Sequence, residues 1–153
     1  MHETEALHIR RLTAEDLEPL HRLLSDPAVM RYLEPPFTRG QTEAFLQKAG
    51  MGREPLIRAV EDGRGFAGYV IYHPYDETSM ELGWVLASDR WGRGYALALT
   101  RQMICRAREN GRDAVIECHP QQAATRHIAE KLGFRPCGMD GGCCVYRLAG
   151  KNE

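Results

Sequence analysis

Long apolar runs are absent from this sequence of 153 residues. No stretch approaches the roughly 18 consecutive apolar residues that mark a membrane-spanning helix, so we expect no contact with a membrane. The first residues, MHETEALHIRR, contain no hydrophobic core of the kind found in signal peptides. We therefore expect a cytoplasmic protein.

The chain also lacks an excess of charge of either sign. Its formal net charge is −1, which argues against a dedicated nucleic-acid binder, although a local arginine patch could still exist. The hydrophobic content of 43% and the charged content of 27% are ordinary for a globular protein. This length predicts a single domain spanning residues 1–153.

Paired cysteine motifs are missing as well. The five cysteines are odd in number and contain no C-x-x-C pair, which argues against both a disulfide framework and a zinc site. We expect five reduced thiols and no bound metal. The cysteines are Cys105, Cys118, Cys137, Cys143 and Cys144.

What the sequence does contain is a strand, a tight glycine loop and an amphipathic helix over residues 80–108. Strand periodicity places Glu81 and Leu82 on opposite faces. Gly92 and Gly94 allow backbone conformations that side chains forbid, and the apolar residues after them recur at helical spacing.

Such a corner suits the capture of an anion. A helix N-terminus presents free N–H groups and partial positive charge, and Arg93 adds a cation. The alternative is an ordinary strand-turn-helix corner whose glycines serve packing. A Walker loop would need Gly-Lys-Ser/Thr where Arg93-Gly94-Tyr95 stands, and a dinucleotide fingerprint would need a small residue in place of Leu97. Neither nucleotide motif fits.

Two segments resemble one known family. The GNAT acetyltransferases carry an acetyl-CoA loop with the pattern Q/R-x-x-G-x-G/A, and residues 91–96 are similar to it, with Trp91 at the usual Gln or Arg. The RimJ/RimL-like branch of that family carries P-E-N-x-A-S-x-R-V-L-E-K-L-G-F, which residues 120–134 resemble. Gln122 stands there for Asn and Thr125 for Ser.

This resemblance implies an α/β (α+β) fold, in which about seven strands form a mixed sheet flanked by about four helices. Strands four and five diverge, and the pantetheine arm of acetyl-CoA enters between them. The backbone of the fourth strand would then pair with the cofactor, and the glycine loop would hold its pyrophosphate. The implied cofactor-binding residues are Trp84, Val85, Leu86, Trp91, Gly92, Arg93, Gly94, Tyr95, Ala96 and Gln122.

Acetyl transfer to an amine needs a base, a stabilised oxyanion and a proton for the leaving thiolate. Glu81 is the candidate base, acting through water because it lies about 16 Å along the strand from Leu86. The alternative is a half-buried strand carboxylate. Many GNAT enzymes supply the acid from a tyrosine where Ala129 stands, so the resemblance leaves Thr125, which could equally bond its own preceding carbonyl. His119 is a weaker candidate for the acid or the base.

The acceptor pocket is implied to include the stiff apolar loop at residues 28–37. Tyr32 and Phe37 are its candidate substrate-binding residues, although packing in the core would also explain them. We therefore expect an enzyme that moves an acetyl group from acetyl-CoA to a primary amine by direct transfer in a ternary complex. The alternatives are a non-catalytic acyl-CoA-binding or sensing domain and an interaction domain. A homodimer is possible, and no membrane or nucleic-acid partner is expected.

The remaining periodicities predict the rest of the order. We expect a first strand near Leu7–Leu12, a helix capped by Asp16, and a second helix that begins with the capping box Thr38-x-x-Gln41. Further predictions are strands at Pro55–Glu61, Phe66–Tyr72, Asp113–His119 and Cys144–Leu148, a polar turn at His73–Thr78, and a helix with Pro120 at its first position.

Overall fold

The computed structural model describes residues 6–150. The strands are β1 His8–Arg10, β2 Ile57–Asp62, β3 Gly65–Asp76, β4 Ser79–Leu86, β5 Asp113–Cys118, β6 Arg135–Asp140 and β7 Cys143–Leu148. The helices are α1 Leu17–Leu24, α2 Pro27–Met30, α3 Arg39–Phe45, α4 Tyr95–Glu109 and α5 Ala123–Lys131. The seven strands form one sheet in the order β1-β2-β3-β4-β5-β7-β6. The expected seven-stranded mixed sheet is confirmed, since β4 and β5 are parallel whereas β1–β2, β2–β3, β5–β7 and β6–β7 are antiparallel.

Residues 6–150 contain five α-helices where about four were expected, because the loop predicted at residues 28–37 begins as a helix. Pro27 occupies its first turn, and the Asp26 carboxylate accepts a hydrogen bond of 2.9 Å from the Ala28 N–H. Both features start a helix, but only one turn follows before the chain bends. Strand β6 was not identified from the sequence, since Pro136 and Gly138 interrupt its alternation.

The chain divides into two compact units. One unit contains the described residues up to Ile71 together with residues 84–95, and the other contains residues 72–83 and the described residues from Ala96 onward. The core of the first unit is an apolar cluster from α1, the turns around α3, and strands β2 to β4. Its buried members include Leu20, Leu24, Leu46, Ile57, Ala59, Tyr69 and Val85.

Helix capping in the first unit differs from the prediction at one end. The Asp16 side chain does not cap α1; Thr13 and Asp16 instead form a capping box around a single 3-10 turn at Ala14–Asp16. Asp16 is buried and also accepts two hydrogen bonds from Arg10, so its carboxylate is used by an ion pair rather than by the helix. The capping box of Thr38 and Gln41 on α3 is confirmed.

The polar turn predicted at His73–Thr78 is wrong in its first four residues. Strand β3 continues through His73 and ends at Asp76, so the turn before β4 is confined to Glu77 and Thr78. The Asp76 carboxylate accepts hydrogen bonds from Thr78 and from the Ser79 hydroxyl, which closes this turn. His73 is therefore a residue of strand β3, beside the neighbouring strands of the sheet, and not a loop residue.

In the second unit, α4 buries Leu99, Met103 and Ala107 along one side, as the helical spacing predicted. Pro120 does not occupy the first position of α5, which begins at Ala123, because residues 120 and 121 form a turn. Gly133 has φ +91° and follows the last turn of α5, as expected of a helix stop.

No helix among residues 6–150 is long and apolar enough to cross a membrane. All five cysteines are free thiols, with Cys118 buried and Cys105 and Cys137 exposed. Within the same range, no group of three or more His, Cys, Asp or Glu side chains has the arrangement of a metal site.

Candidate functional site

The glycine loop lies between the end of β4 at Leu86 and the start of α4 at Tyr95. Gly92 and Gly94 have φ +76° and +79°, values that L side chains rarely adopt. In the part of the chain that the structure describes, the N–H groups of Gly92, Arg93 and Gly94 make no hydrogen bond. The predicted loop is therefore present, with open amides beside the N-terminus of a helix 15 residues long, as anion binding requires.

A buried carboxylate fixes both ends of this loop. Asp62, whose side chain is fully buried, accepts hydrogen bonds from Arg90 Nε at 2.9 Å, Arg90 Nη2 at 3.1 Å and the Tyr95 hydroxyl at 2.8 Å. It also accepts one from the Arg64 N–H at 2.9 Å. The hydrogen bonds from Arg90 hold the pKa of the Asp62 carboxyl well below its usual range. Tyr95 was predicted to bind the cofactor, and its side chain is committed to Asp62.

Asp62 and Arg90 are residues that sequence reasoning missed. Arg90 ends a short 3-10 turn four residues after β4, and Asp62 ends β2, so each has the sequence context of an ordinary polar residue at a strand end or turn. They are 28 positions apart, and no local pattern joins them. The available signal is weak: an aspartate in the segment Asp62-Gly63-Arg64-Gly65, whose composition is that of a turn between two strands.

Trp91 stands at the start of the loop with 51% of its surface exposed. Its indole N–H donates a hydrogen bond of 2.9 Å to the Leu86 carbonyl oxygen. One lone pair of the carbonyl predicted to pair with a cofactor amide is thus already used. The Trp91 ring caps the end of β4, while the backbone N–H of Trp91 donates a hydrogen bond of 3.3 Å to the Ser88 carbonyl oxygen.

The part of β4 predicted to face the cofactor is held tightly against β3. Gly68 has φ +147°, and a Cβ placed there would overlap the carbonyl oxygen of Val85. Val85 itself is buried in the apolar cluster, whereas Trp84 is half-buried. The close approach of the two strands fixes the backbone of residues 84–86 from one side.

On the other side, β4 pairs with β5 over a short stretch. The pairs are Ser79 with Asp113, Met80 with Ala114 and Glu81 with Val115. Pairing stops there within residues 6–150, although β4 continues to Leu86 and β5 to Cys118. Full-length pairing of these strands, which would have ruled out an inserted cofactor, is not observed.

Glu81, the predicted base, lies at the last of those pairs among several titratable groups. The distance from its Oε1 to His73 Nε2 is 3.8 Å, and its side chain is 23% exposed. Burial raises the pKa of Glu81, the electrostatic effect of His73 lowers it, and the charge of Glu117 raises it. Glu117 accepts a hydrogen bond of 3.0 Å from the Tyr75 hydroxyl, which raises the pKa of Tyr75 to about 12.

The α5 segment contains the other predicted polar residues. Thr125 is half-buried, and in the described part of the chain its hydroxyl makes no hydrogen bond, so the bond to its own preceding carbonyl is not formed. The Gln122 side chain accepts a hydrogen bond of 2.8 Å from the His119 N–H, which ties the end of β5 to the start of α5. Ala129 is fully buried.

Of the two predicted acceptor residues, Phe37 packs against the apolar cluster and contacts Phe45 edge-to-face, with 5.8 Å between ring centroids. Tyr32 is half-buried, and the Arg31 guanidinium lies 5.0 Å from its ring centroid. The structure thus places Phe37 in a packing role and leaves Tyr32 nearer the surface. Both assignments as substrate contacts stay predictions.

Comparison with known proteins points in one direction. The family model of the acetyltransferase (GNAT) domain matches residues 6–135. The uncharacterised N-acetyltransferase YnaD of Bacillus subtilis (strain 168) is 26% identical over 145 residues, which cover 92% of this chain and 85% of that protein. A GNAT-family acetyltransferase from Bacillus anthracis has a crystal structure with TM-score 0.80 and 25% identity, covering 97% of each chain. The spermidine N-acetyltransferase of Vibrio cholerae, solved with CoA and spermine, shares the fold with TM-score 0.74, at 23% identity over 93% of each chain.

Proposed function

Because the chain belongs to the acetyltransferase (GNAT) family and is an acetyl-CoA-dependent N-acetyltransferase, we propose that its acceptor is a primary amine attacked directly in a ternary complex. The acceptor is a protein N-terminus, an amino acid or a small amine. The match of residues 120–134 to the RimJ/RimL-like pattern supports placement in that branch. Acetyl-CoA supplies an acetyl thioester, and the residues of this chain bind and orient the two substrates and deprotonate the amine.

The observation that carries the proposed function is the set of open amides at Gly92, Arg93 and Gly94, which suits binding of acetyl-CoA. Both glycines hold positive φ, so the three N–H groups are presented without competing bonds in the described chain. Such a cradle fits a diphosphate, which the helix dipole of α4 also favours. Arg93, which is exposed, adds a cation to the same loop. Ala96 follows as the small residue of the acetyl-CoA pattern.

We assign the base to Glu81. The pKa of Glu81 is raised and so lies closer to neutral pH than that of an ordinary glutamate. Proton transfer from an ammonium to Glu81 is therefore more efficient. A backbone N–H near Leu86 is the proposed donor to the developing oxyanion. Thr125 is the proposed donor to the thiolate, since its hydroxyl makes no other hydrogen bond in residues 6–150. Gln122 would help by holding the start of α5 in place.

Two measurements test this function. Acetyl-CoA at millimolar concentration should raise the melting temperature, because a ligand at 100 times its Kd stabilises the native state by about 2.7 kcal/mol. Release of free thiol should then be followed with a panel containing a peptide N-terminus, free amino acids and a polyamine. Stabilisation without turnover on any amine would favour the alternative, a non-catalytic acyl-CoA-binding or sensing domain. The absence of a tyrosine at position 129, where Ala129 stands, supports that alternative. No stabilisation would contradict both.

Two wider proposals concern assembly and location. β6 is at the edge of the sheet, and all six of its residues are exposed, so a homodimer through this strand is proposed and is checked by analytical ultracentrifugation. A cytoplasmic location agrees with five free thiols and is checked by fractionation.

A further inference from the structure

His73 and Glu81 face each other from adjacent strands of the second unit. His73 Nε2 lies 3.8 Å from Glu81 Oε1, and the two side chains are 25% and 23% exposed. This distance is longer than a hydrogen bond, so a small movement of either side chain is needed for a direct hydrogen bond. Each side chain is mostly buried but retains some access to solvent.

The other ring nitrogen of His73 is already engaged. His73 Nδ1 lies 2.9 Å from the carbonyl oxygen of Pro74. A carbonyl oxygen only accepts, so Nδ1 must carry a hydrogen in this contact. In the neutral ring the lone pair is then on Nε2, and that is the nitrogen facing the carboxylate. The ring is therefore oriented to exchange a proton with Glu81 and with nothing on its other side.

Other charged groups around the pair are acidic. Glu117 from β5 acts on Glu81, and the Tyr75 hydroxyl from β3 is hydrogen-bonded to Glu117. Asp140 from β6 acts in turn on Tyr75. Among these groups, His73 is the one that can compensate the carboxylate charge, and its effect on the pKa of Glu81 is opposite to that of burial and of Glu117.

We propose that His73 acts through Glu81 as a positioning residue that receives the proton Glu81 takes from the acceptor ammonium. This rests on the proposed function. An N–H bond of the ammonium breaks as an O–H bond forms on Glu81; that O–H bond then breaks as an N–H bond forms on Nε2, and the proton leaves to water. No electrons are gained or lost, and the net reaction of an ammonium with acetyl-CoA releases one proton.

Replacing His73 with Gln removes the nitrogen that accepts the proton and puts an amide of similar size in its place. Without the positive charge that His73 carries once it has received the proton, burial and Glu117 act on Glu81 unopposed, so the pKa of Glu81 rises further. We expect the acidic limb of the kcat/KM profile to move to higher pH, and kcat at pH 7 to fall by about tenfold, less than the roughly 10²–10⁴-fold that loss of a base itself produces. Removal of a merely structural side chain would lower stability without moving the limb.

The matched control is His127→Gln, since His127 is exposed on α5 and has no place in the proposed mechanism. A second variant, His73→Ala, guards against poor folding of the first: added imidazole should restore part of its kcat in a saturable way. An active His73→Gln enzyme with the same acidic limb as His127→Gln would overturn the relay, as would a lack of imidazole rescue. Absence of thiol release by the wild type would instead refute the proposed function itself.

Discussion

Replacement of Asp62 by Asn tests how the glycine loop is held. The substitution keeps the shape of the side chain but removes the charge that faces Arg90, and it turns an amide N–H₂ group toward donors. Breaking a buried ion pair by neutralising one partner destabilises a protein by about 3–5 kcal/mol. Arg90 still contacts Asp89, at 3.0 Å and 3.1 Å, so we expect the lower end of that range, about 3 kcal/mol.

For a chain of this size each kcal/mol corresponds to about 2–4 °C in melting temperature, so Asp62→Asn should melt about 6–12 °C below the wild type. Differential scanning calorimetry measures this directly. Because Arg90 and Tyr95 flank the loop, the KM for acetyl-CoA should rise in parallel. Asp89→Asn is the matched control: the Asp89 side chain is 63% exposed, and surface pairs contribute about 0–1 kcal/mol.

The effect of pH gives the same prediction a second check. The pKa of Asp62 is depressed in the folded chain, so its stabilisation is present above the unfolded pKa of about 3.9 and is lost as the pH falls toward the folded value. The difference between wild type and Asp62→Asn should hold from neutral pH down to about 4 and shrink below it. A loss in melting temperature no larger than that of Asp89→Asn would refute the clamp.

Three further predictions concern the base, the loop and the thiols. Glu81→Gln should lower turnover by about 10²–10⁴-fold. Urea denaturation at pH 7 to 8 should nevertheless show no loss of stability. The pKa of Glu81 is raised in the folded protein, so its charged form destabilises the native state as the pH rises, and glutamine removes that charge. Gly92→Ala should destabilise by about 1–2 kcal/mol and raise the KM for acetyl-CoA, while Gly40→Ala, in a helix with free space around it, should be neutral or stabilising; a stable, tightly binding Gly92→Ala would contradict the strained loop. In a thiol-reagent assay at pH 8 the exposed Cys105 should react rapidly and Cys118 slowly, since burial raises the pKa of Cys118 to about 11; equal rates would contradict its burial.

Much of the fold could be predicted because its signals are local. The strand-loop-helix corner around Gly92 depends on alternation, on glycine's tolerance of positive φ and on helical spacing, all within 30 neighbouring residues of the chain. The capping box at Thr38 and Gln41 is local too. Where two local signals competed, prediction failed: Pro120 suits a first helical turn, but residues 120 and 121 form a turn across which the His119 N–H bonds the Gln122 side chain, and the helix begins at Ala123.

The candidate site was less predictable, because its contacts join distant positions. The sequence predicts His73 in a turn on account of Pro74, but Pro74 lies within β3, and the alternation of Tyr69, Ile71 and His73 is that of a longer strand. The pairing of Asp62 with Arg90 spans 28 positions and needs the tertiary structure. Such contacts depend on packing, and packing is not encoded in any window of a single sequence.

Trp91 gives the molecule an optical reporter of its own. The chain has two tryptophans, and this one is anchored by its indole N–H to the Leu86 carbonyl while half of its surface meets solvent immediately before Gly92. A ligand that settles on the neighbouring amides changes the polarity around a fixed chromophore. Tryptophan emission from an unlabelled sample can therefore follow occupancy of the loop. The Trp91→Phe variant emits from Trp84 alone, and its emission is subtracted from that of the wild type.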